Sequence, residues 1–213
     1  MGVNTEFQKI IQILSGSDFE GCLQPPATLN EILELKNITG ISINGGLLDL
    51  WLLANGAEHR RYGTPAFGVY TDGPTPCSFL STQESIQTWQ NLFESSKNYE
   101  QDRIRDAQKW KEAFGQDLLA LEIDYGPEET RDARIKPVWS NPKWLPFATF
   151  NGYSTIVYYD ADPNHGGIIG QIIAYQHDPD AIYLVANSFD EFFEKSNQLL
   201  VTESNLINWI KGK

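Results

Sequence analysis

The segment from Ile135 to Phe193 places the strongest constraint on the fold of this chain. Apolar runs alternate there with Asn-Gly, Asp-Pro and Gly-Gly pairs, and such pairs are typical of tight turns. The pattern predicts several antiparallel strands joined by tight turns and closed by a helix that Asn187 or Ser188 caps. The predicted strands are Trp144–Phe150, Thr155–Tyr159, Ile168–Tyr175 and Ala181–Ala186.

Helix patterns dominate the chain before this segment. The capping-box spacing, in which Ser or Thr is followed three residues later by Glu or Gln, occurs at Thr5–Gln8, Thr28–Glu31 and Ser81–Glu84. Each pair predicts the first turn of a helix, so Glu31 is interpreted as a capping residue and not as a catalytic acid. The run Leu47–Ala54 is apolar around most of the helical circumference, which predicts a buried helix with Trp51 in the core.

Two separate helices are predicted after Ser81. Their apolar faces are Ile86, Trp89, Leu92 and Phe93, and Ile104, Ala107, Trp110 and Phe114. Short strands are predicted over Ala66–Tyr70 and Leu118–Ile123. The rest of Tyr62–Phe79 is predicted to be loop, because Gly, Pro and Thr are frequent there. A last short helix is predicted over residues 203–210.

The chain is strongly acidic, with a formal net charge of −12. A field of this sign repels nucleic acid and anionic lipid, and it speeds association with a basic partner. Residues 151–200 carry seven acids against one lysine, whereas residues 101–150 carry nine acids and eight bases. We therefore expect the negative potential to concentrate on the sheet side. The alternative is that the acidity serves solubility alone.

The cysteine content and the apolar runs bear on location. Two cysteines, Cys22 and Cys77, are too few for a disulfide framework, which favours a reducing compartment. The first residues show no basic segment followed by an apolar run, and no run of about 18 apolar residues occurs. The expectation is a cytoplasmic protein without membrane insertion.

The turn that begins at Asp160 is the part of the chain most similar to a site for chemistry. Asp160, Asp162 and Asn164 have the spacing that begins a calcium loop. The sixth position of that loop is His165 instead of Gly, and the twelfth is Gln171 instead of Glu. Asp162 and His165 could also form an acid–base pair. Because Asp, Asn and Gly favour turns through their backbone preferences, we expect a structural turn here, with no metal, no cofactor and no catalytic activity.

Two further sets of residues have alternative interpretations. Glu122 and Asp124 could flank a cleft as paired carboxylates, although their alternation with apolar residues more often marks the solvent face of a strand. A second set could form a sugar platform or anchor a protein interface, although packing in the core and hairpins explains most of its members. This set comprises Trp139, Trp144, Tyr158 and Tyr159.

Several short motifs occur in an order typical of one superfamily. They are Pro25–Thr28, Pro137–Ala148, Asn151-Gly152, Asp160–Pro163, Gly167–Ile173 and Ala186–Phe192. Together these motifs resemble the SUKH superfamily, and more narrowly its branch of fungal cell-wall assembly (glucan synthesis) regulators and their bacterial homologues. The turn Asp160–Asn164 departs from the simpler Asp-Leu-Pro turn of many members, and loops of this kind decide partner specificity.

The resemblance implies a non-enzymatic α+β fold with a twisted, largely antiparallel sheet and helices packed around it. It covers roughly Leu23 to Leu200. We therefore expect a single domain over residues 1–213, with a core at about 23–200 and a helix-rich section at about 81–118. Bacterial members are commonly immunity proteins that bind and neutralise toxin domains, whereas fungal members are interaction hubs for cell-wall synthesis.

Three hypotheses about function follow. The first is an immunity protein whose acidic surface binds a basic toxin domain such as a nuclease, whose substrate-binding cleft is itself basic. The second is a scaffold for cell-wall enzymes, and the third is an enzyme that uses the Asp160–Gly167 loop. For the first hypothesis, the candidate partner-binding residues are Trp144, Asp160, Asp162, His165, Asp178 and Asp180. The sequence leaves the oligomeric state open.

Overall fold

A computed structural model describes residues 2–58, 63–115, 132–138, 140–178 and 180–212. The strands are β1 (Phe67–Tyr70), β2 (Pro74–Phe79), β3 (Trp144–Phe150), β4 (Thr155–Asp160), β5 (Gln171–Gln176) and β6 (Ala181–Ala186). The helices are α1 (Val3–Leu14), α2 (Leu29–Thr39), α3 (Gly46–Trp51), α4 (Thr82–Phe114), α5 (Phe189–Thr202) and α6 (Ser204–Ile210). The six strands form one sheet in chain order, each antiparallel to its neighbours. The predicted α+β class is therefore confirmed.

The strands predicted between Ile135 and Phe193 are confirmed, with one boundary clearly shifted. β3 and β6 match the prediction, and β4 is one residue longer. β5 begins at Gln171 instead of Ile168. Gly170, with a φ of 89°, donates its N–H to the Asp160 carbonyl at 2.8 Å. This bond closes the β4–β5 loop, residues 161–170, before the strand pairing starts.

The prediction of loop between Tyr70 and Phe79 is wrong, because Pro74–Phe79 forms β2. Two prolines made this segment read as loop, since proline cannot donate to a strand ladder. In the structure, Pro74 and Pro76 pair with β1, whereas only Ser78 and Phe79 pair with β3. The prolines therefore occupy the part of β2 that has a strand on one side only, where a missing N–H is tolerated. The predicted strand Leu118–Ile123 lies outside the described residues.

The prediction of two helices after Ser81 is also wrong. α4 is one helix of 33 residues that ends at Gly115, which adopts a φ of 70°. The segment contains neither Gly nor Pro, so no residue in it breaks the helix. Its first half packs on the sheet, where the Ser85 hydroxyl donates to the Pro146 carbonyl. In its second half, Ile104 and Phe114 are exposed whereas Ala107 is buried, so the predicted apolar face there is buried only in part.

Two of the three predicted capping boxes are confirmed. Both hydrogen bonds of the box are present at Thr28–Glu31 and at Ser81–Glu84, so Glu31 has the capping role assigned to it. The box at Thr5–Gln8 is wrong, because α1 already begins at Val3, after Gly2. The helix predicted over Leu47–Ala54 is shorter than expected and runs over Gly46–Trp51.

The sheet is covered on both faces, as the residues of β4 show. Its alternate residues Val157 and Tyr159 belong to the main core, whereas Ile156 and Tyr158 belong to a second cluster on the opposite face. The main core also includes Trp51, which is fully buried and donates its indole N–H to the Leu80 carbonyl at 3.0 Å. At its centre are five phenylalanines: Phe67, Phe147, Phe189, Phe192 and Phe193.

Candidate functional site

The aspartates predicted to contribute to one acidic binding surface lie at two opposite ends of the sheet. Asp160 ends β4 and pairs with Gln171 at the start of β5, whereas Asp178 and Asp180 follow the end of β5. A strand rises about 3.3 Å per residue, so the two groups are separated by roughly the length of β5, on the order of 15–20 Å. The four aspartates therefore belong to two separate surfaces, and not to one.

We call the first surface the loop end; it comprises the β4–β5 loop and the preceding segment 132–136. Asp160 is at this end, but its side chain is fully buried. Its carboxylate accepts from the Gln171 side chain and from the Asp162 backbone N–H, both at 2.9 Å. Burial raises the pKa of Asp160, and these hydrogen bonds oppose the increase.

Two predicted contact residues must therefore be removed from the partner-binding surface. Asp160 supports the loop from inside, and Trp144 is only 3% exposed and packs near Tyr158 in the second core cluster. The Trp144 indole N–H acts to lower the pKa of Asp160, although its geometry falls short of a hydrogen bond. Tyr158 and Tyr159 are also buried, so neither contributes to the sugar platform considered above. Trp139, Glu122 and Asp124 lie outside the described residues.

Asp162 is engaged by its neighbours and is not a free acidic contact. Its carboxylate accepts from Lys136 Nζ at 2.5 Å and from Asn141 Nδ2 at 3.1 Å. The Lys136 bond, supported by the Asn141 bond, lowers the pKa of Asp162. Asp162 therefore forms an ion pair with Lys136, whereas the acid–base pair with His165 was only the alternative to the structural turn expected here.

The loop end is held in place by several hydrogen bonds to segment 132–136. Asn164 donates its backbone N–H to the Arg134 carbonyl and its side-chain N–H to the Ala133 carbonyl, both at 2.9 Å. The Gln171 side chain also donates to the Arg134 carbonyl at 3.1 Å. A Cβ on Gly167 would lie 2.7 Å from the same carbonyl oxygen, so the backbone approaches closely there.

The fixed loop presents apolar residues to solvent. Ile168 and Ile169 are 56% and 66% exposed, and His165 is exposed beside them in the chain. The sequence pattern predicts both isoleucines at the start of a strand, and that prediction does not indicate their exposure. The useful signal was their position between Gly167 and Gly170, because glycines on both sides favour a turn over a strand.

An ion pair in segment 132–136 gives a testable pH dependence. Arg134 donates to the Asp132 carboxylate through Nε at 2.8 Å and through a terminal nitrogen at 2.6 Å. This bonding lowers the pKa of Asp132 from 3.8 to about 2. Because the folded-state pKa is depressed, the pair stabilises the fold above pH 3.8, and that stabilisation is lost as the pH falls towards 2.

We expect Asp132→Asn to flatten the acid limb of the stability profile. The measurement is the urea midpoint between pH 5 and pH 2.5 for both proteins, followed by tryptophan fluorescence. The difference between wild type and variant should shrink as the pH falls, because other paired acids titrate identically in the two proteins. Parallel profiles across this range would show that the Asp132–Arg134 pair does not contribute to the acid sensitivity.

We call the second surface the turn end; it comprises the β1–β2 turn (71–73), the β3–β4 turn (151–154) and the β5–β6 turn (177, 178 and 180). The register of β2, β3, β4 and β5 brings these turns to the same end of the sheet. Two hydrogen bonds join them. Thr71 donates to the Gln176 side-chain oxygen at 3.1 Å, and the His177 N–H donates to the Ser154 carbonyl at 2.8 Å.

The turn end combines exposed acids with exposed tyrosines. Asp72, Asp178 and Asp180 are exposed, and the described residues of the three turns include no Lys or Arg. Tyr70 and Tyr153 are 55% and 39% exposed. The predicted contact residues include Asp178 and Asp180 but not Asp72 or the two tyrosines, because nothing in the sequence links a turn near residue 72 to one near residue 178.

Asp180 is held as an anion by two neighbours. Its carboxylate accepts from the Tyr175 hydroxyl at 2.6 Å and lies 2.8 Å from the Nδ1 atom of His177. Both contacts, that of Tyr175 first, lower the pKa of Asp180, so it is ionised at neutral pH. Asp178 lies in the left-handed region with a φ of 65°, which Asp tolerates better than most residues.

The described residues offer little for metal or covalent chemistry. Among them, no group of three or more His, Cys, Asp or Glu side chains is placed to hold a metal ion. Cys22 and Cys77 are both buried and are not joined in a disulfide, and burial raises the pKa of the Cys77 thiol. In the same part of the chain, no helix has the length and apolar character needed to cross a membrane.

Comparison with known proteins identifies the family of the chain. The model of the SMI1/KNR4 family (SUKH-1) matches residues 26–195. A curated relative, the glucan synthesis regulatory protein of Neurospora crassa, is 24% identical over 189 residues. The match covers 81% of this chain but only 32% of the relative, so the chain spans about a third of that protein's length. The family match covers most of the chain, and this protein therefore belongs to the SMI1/KNR4 (SUKH-1) family.

Proposed function

We propose that this chain is a non-enzymatic, cytoplasmic protein-binding module that binds a basic protein surface through its turn end. Its most concrete role is that of an immunity protein that neutralises a toxin domain. The SMI1/KNR4 family includes immunity proteins as well as glucan synthesis regulators. The observation that carries the proposal is that Asp72, Asp178 and Asp180 are exposed in adjacent turns. Two exposed tyrosines accompany them, Tyr153 in the β3–β4 turn and Tyr70 at the end of β1.

The chemistry of the turn end suits recognition of a basic protein. Acidic groups steer a basic partner during diffusion and suppress acidic competitors. Tyrosine is enriched among the residues that dominate binding energy, because it buries a large area and retains a hydrogen-bonding group. Tyr70 and Tyr153 would supply that buried contact, while Asp178 and Asp180 would supply the electrostatic steering.

A nuclease is the toxin class that fits this surface best. A cleft that binds nucleic acid must carry Lys and Arg to neutralise phosphates, so an acidic protein surface can occupy it. The net charge of the whole chain, −12, favours the same class of partner. The partner is therefore expected to be a basic toxin domain, and binding would block access of the nucleic-acid substrate.

Co-expression with a candidate toxin tests this role. The candidate to look for is the C-terminal domain of any large secreted protein whose gene lies beside the gene for this chain. We expect the chain to restore growth of cells that express the domain. We also expect the two proteins to elute together from a gel-filtration column at low salt. The absence of such a gene, or a domain that stays toxic and does not bind, would contradict the immunity role.

A second function is favoured by the match to the Neurospora protein, whose name describes a glucan synthesis regulator. In that case the chain would be a scaffold that binds cell-wall enzymes or their regulators. The exposed Ile168 and Ile169 on the fixed loop end offer an apolar contact for such a partner. A cell-wall growth defect on deletion, in a genome without an adjacent toxin gene, would favour this function.

A further inference from the structure

An open groove runs between the two terminal strands of the sheet. It has a volume of about 450 Å³ and lies over α5, with β1 on one side and β6 on the other. The residues that matter here are Tyr70 on β1, Leu184 and Val185 on β6, and Leu199, Thr202 and Glu203 beside them. Because the sheet curls, its two ends face each other across α5 instead of lying far apart.

Within the part of the chain that the structure describes, β1 is closed to a guest strand and β6 is open to one. β1 is closed by α5, since the Gly68 N–H donates to the Ser196 hydroxyl oxygen at 3.0 Å. A Cβ on Gly68 would lie 2.9 Å from the Leu199 Cβ, which shows how closely the strand packs on the helix. β6 pairs with β5 alone among the described strands. Its outer edge therefore offers backbone groups to an added strand.

The geometry of β6 limits the length of that pairing. The register with β5 shifts between Ile172 and Ile173, which leaves Val185 as the extra residue of a bulge. A guest can therefore pair with the regular part of the strand, before Val185. Tyr183, Leu184 and Val185 are each partly exposed, so apolar side chains of the guest would find apolar contacts there.

The charges around the groove indicate which peptide fits it. Lys195 lines the groove, but it is already paired with Glu191 at 2.6 Å. Glu203 lines the same groove, and Asp178 and Asp180 precede the first residue of β6. A guest that carries Lys or Arg is therefore favoured over an acidic one. A second copy of this chain is disfavoured, because two chains of charge −12 repel each other.

We propose that β6 accepts an extended, basic segment of a protein partner as a seventh strand. The proposal rests on the proposed function in that the guest belongs to a basic protein partner, and it adds how that partner is held. Tyr70 belongs both to the edge of this groove and to the region beside the β1–β2 turn. The added strand would thus continue the contact that begins at the turn end.

A defined peptide tests the site without any natural partner. The probe is acetyl-Lys-Val-Thr-Val-Lys-Val-Thr-Val-Lys-amide, titrated into the ¹⁵N-labelled full chain. We expect shift changes and slowed amide exchange in β6, with further shifts at Gly68 and Leu199. A control peptide with Glu in place of Lys should bind more weakly. A control with proline at two adjacent central positions should not bind, because it lacks N–H groups on both edges.

Two adjacent residues give a matched pair of variants. Thr202 lines the groove and Val201 does not, yet both are exposed in the last turn of α5. We expect Thr202→Arg to weaken probe binding by at least about tenfold through like-charge repulsion, and Val201→Arg to leave it within about twofold. Equal effects of the two variants, binding of the proline control, shifts that leave β6 unaffected, or self-association of the chain through β6 would each overturn the proposal.

The outcome is separable from that of the proposed function. The probe experiment contains no toxin, so its failure removes the added strand but leaves docking of the turn end intact. Conversely, if charge reversal at Asp178 and Asp180 left the association rate of the toxin domain unchanged, the docking proposal would be wrong. Pairing of the probe with β6 would still stand.

Discussion

Phe192→Ala should lower the free energy of unfolding by about 3–5 kcal/mol, as is usual for a buried phenylalanine. Phe192 is fully buried, and its ring centroid lies 5.3 Å from that of Phe67, 5.5 Å from that of Phe147 and 5.7 Å from that of Phe189. Truncation removes these contacts and leaves a cavity between α5 and the sheet. Urea unfolding followed by circular dichroism measures the loss.

The same helix provides the control for this variant. Val201 is 54% exposed, so Val201→Ala should change stability by less than about 0.5 kcal/mol. Domains of ordinary stability unfold with only about 5–15 kcal/mol, so Phe192→Ala can fail to fold. Phe192→Leu, which keeps most of the apolar volume, should then be folded and intermediate in stability. A Phe192→Ala protein as stable as wild type would place the centre of the core elsewhere.

Asp178→Lys combined with Asp180→Lys should slow association with the cognate toxin domain by about 10–100-fold at low salt, because steering of this kind commonly contributes such factors. Each substitution changes the charge by two units, so the turn end changes by four. The salt dependence of the association rate should weaken in parallel. Stopped-flow fluorescence at several salt concentrations measures both quantities.

A second double variant controls for the change in net charge. Glu34→Lys with Glu94→Lys has the same four-unit effect at two exposed positions on α2 and α4. α4 leads away from the turn end, since its Ser85 contacts Pro146 and its later residue Trp89 contacts Pro142, which precedes β3. We expect this control to slow association far less. Equal slowing by both variants would mean that only overall charge matters, and not the position of Asp178 and Asp180.

The parts of the fold that the sequence predicts well are those set by local backbone chemistry. Asn151 and Gly152 adopt positive φ values of 45° and 62°, which Asn and Gly tolerate better than other residues, and the strands on either side follow. The boxes at Thr28 and Ser81 depend on residues three positions apart, so they too could be read locally. β2 could not be predicted from the local sequence, because its prolines are tolerated only where the strand pairs on one side in the assembled sheet.

The candidate site was predictable only in part, because burial and proximity are properties of the assembled fold. Asp160 and Asp178 both lie next to strands and look equivalent in the sequence, yet one side chain is fully buried and the other is exposed. The partner of Asp162, Lys136, is 26 positions away. Asp72 and Tyr153 join the turn end only because the antiparallel order brings their turns to one end of the sheet.

Amide hydrogen exchange of the chain alone and in complex with its toxin domain measures the binding surface most directly. We predict slower exchange in all three turns of the turn end, residues 71–73, 151–154 and 177–178, and in the adjoining strand β6. Exchange in α2 and in the β4–β5 loop, residues 161–170, should stay unchanged. Protection confined to that loop or to the helices, with the three turns exchanging as in the free chain, would contradict the assignment of the turn end as the binding surface.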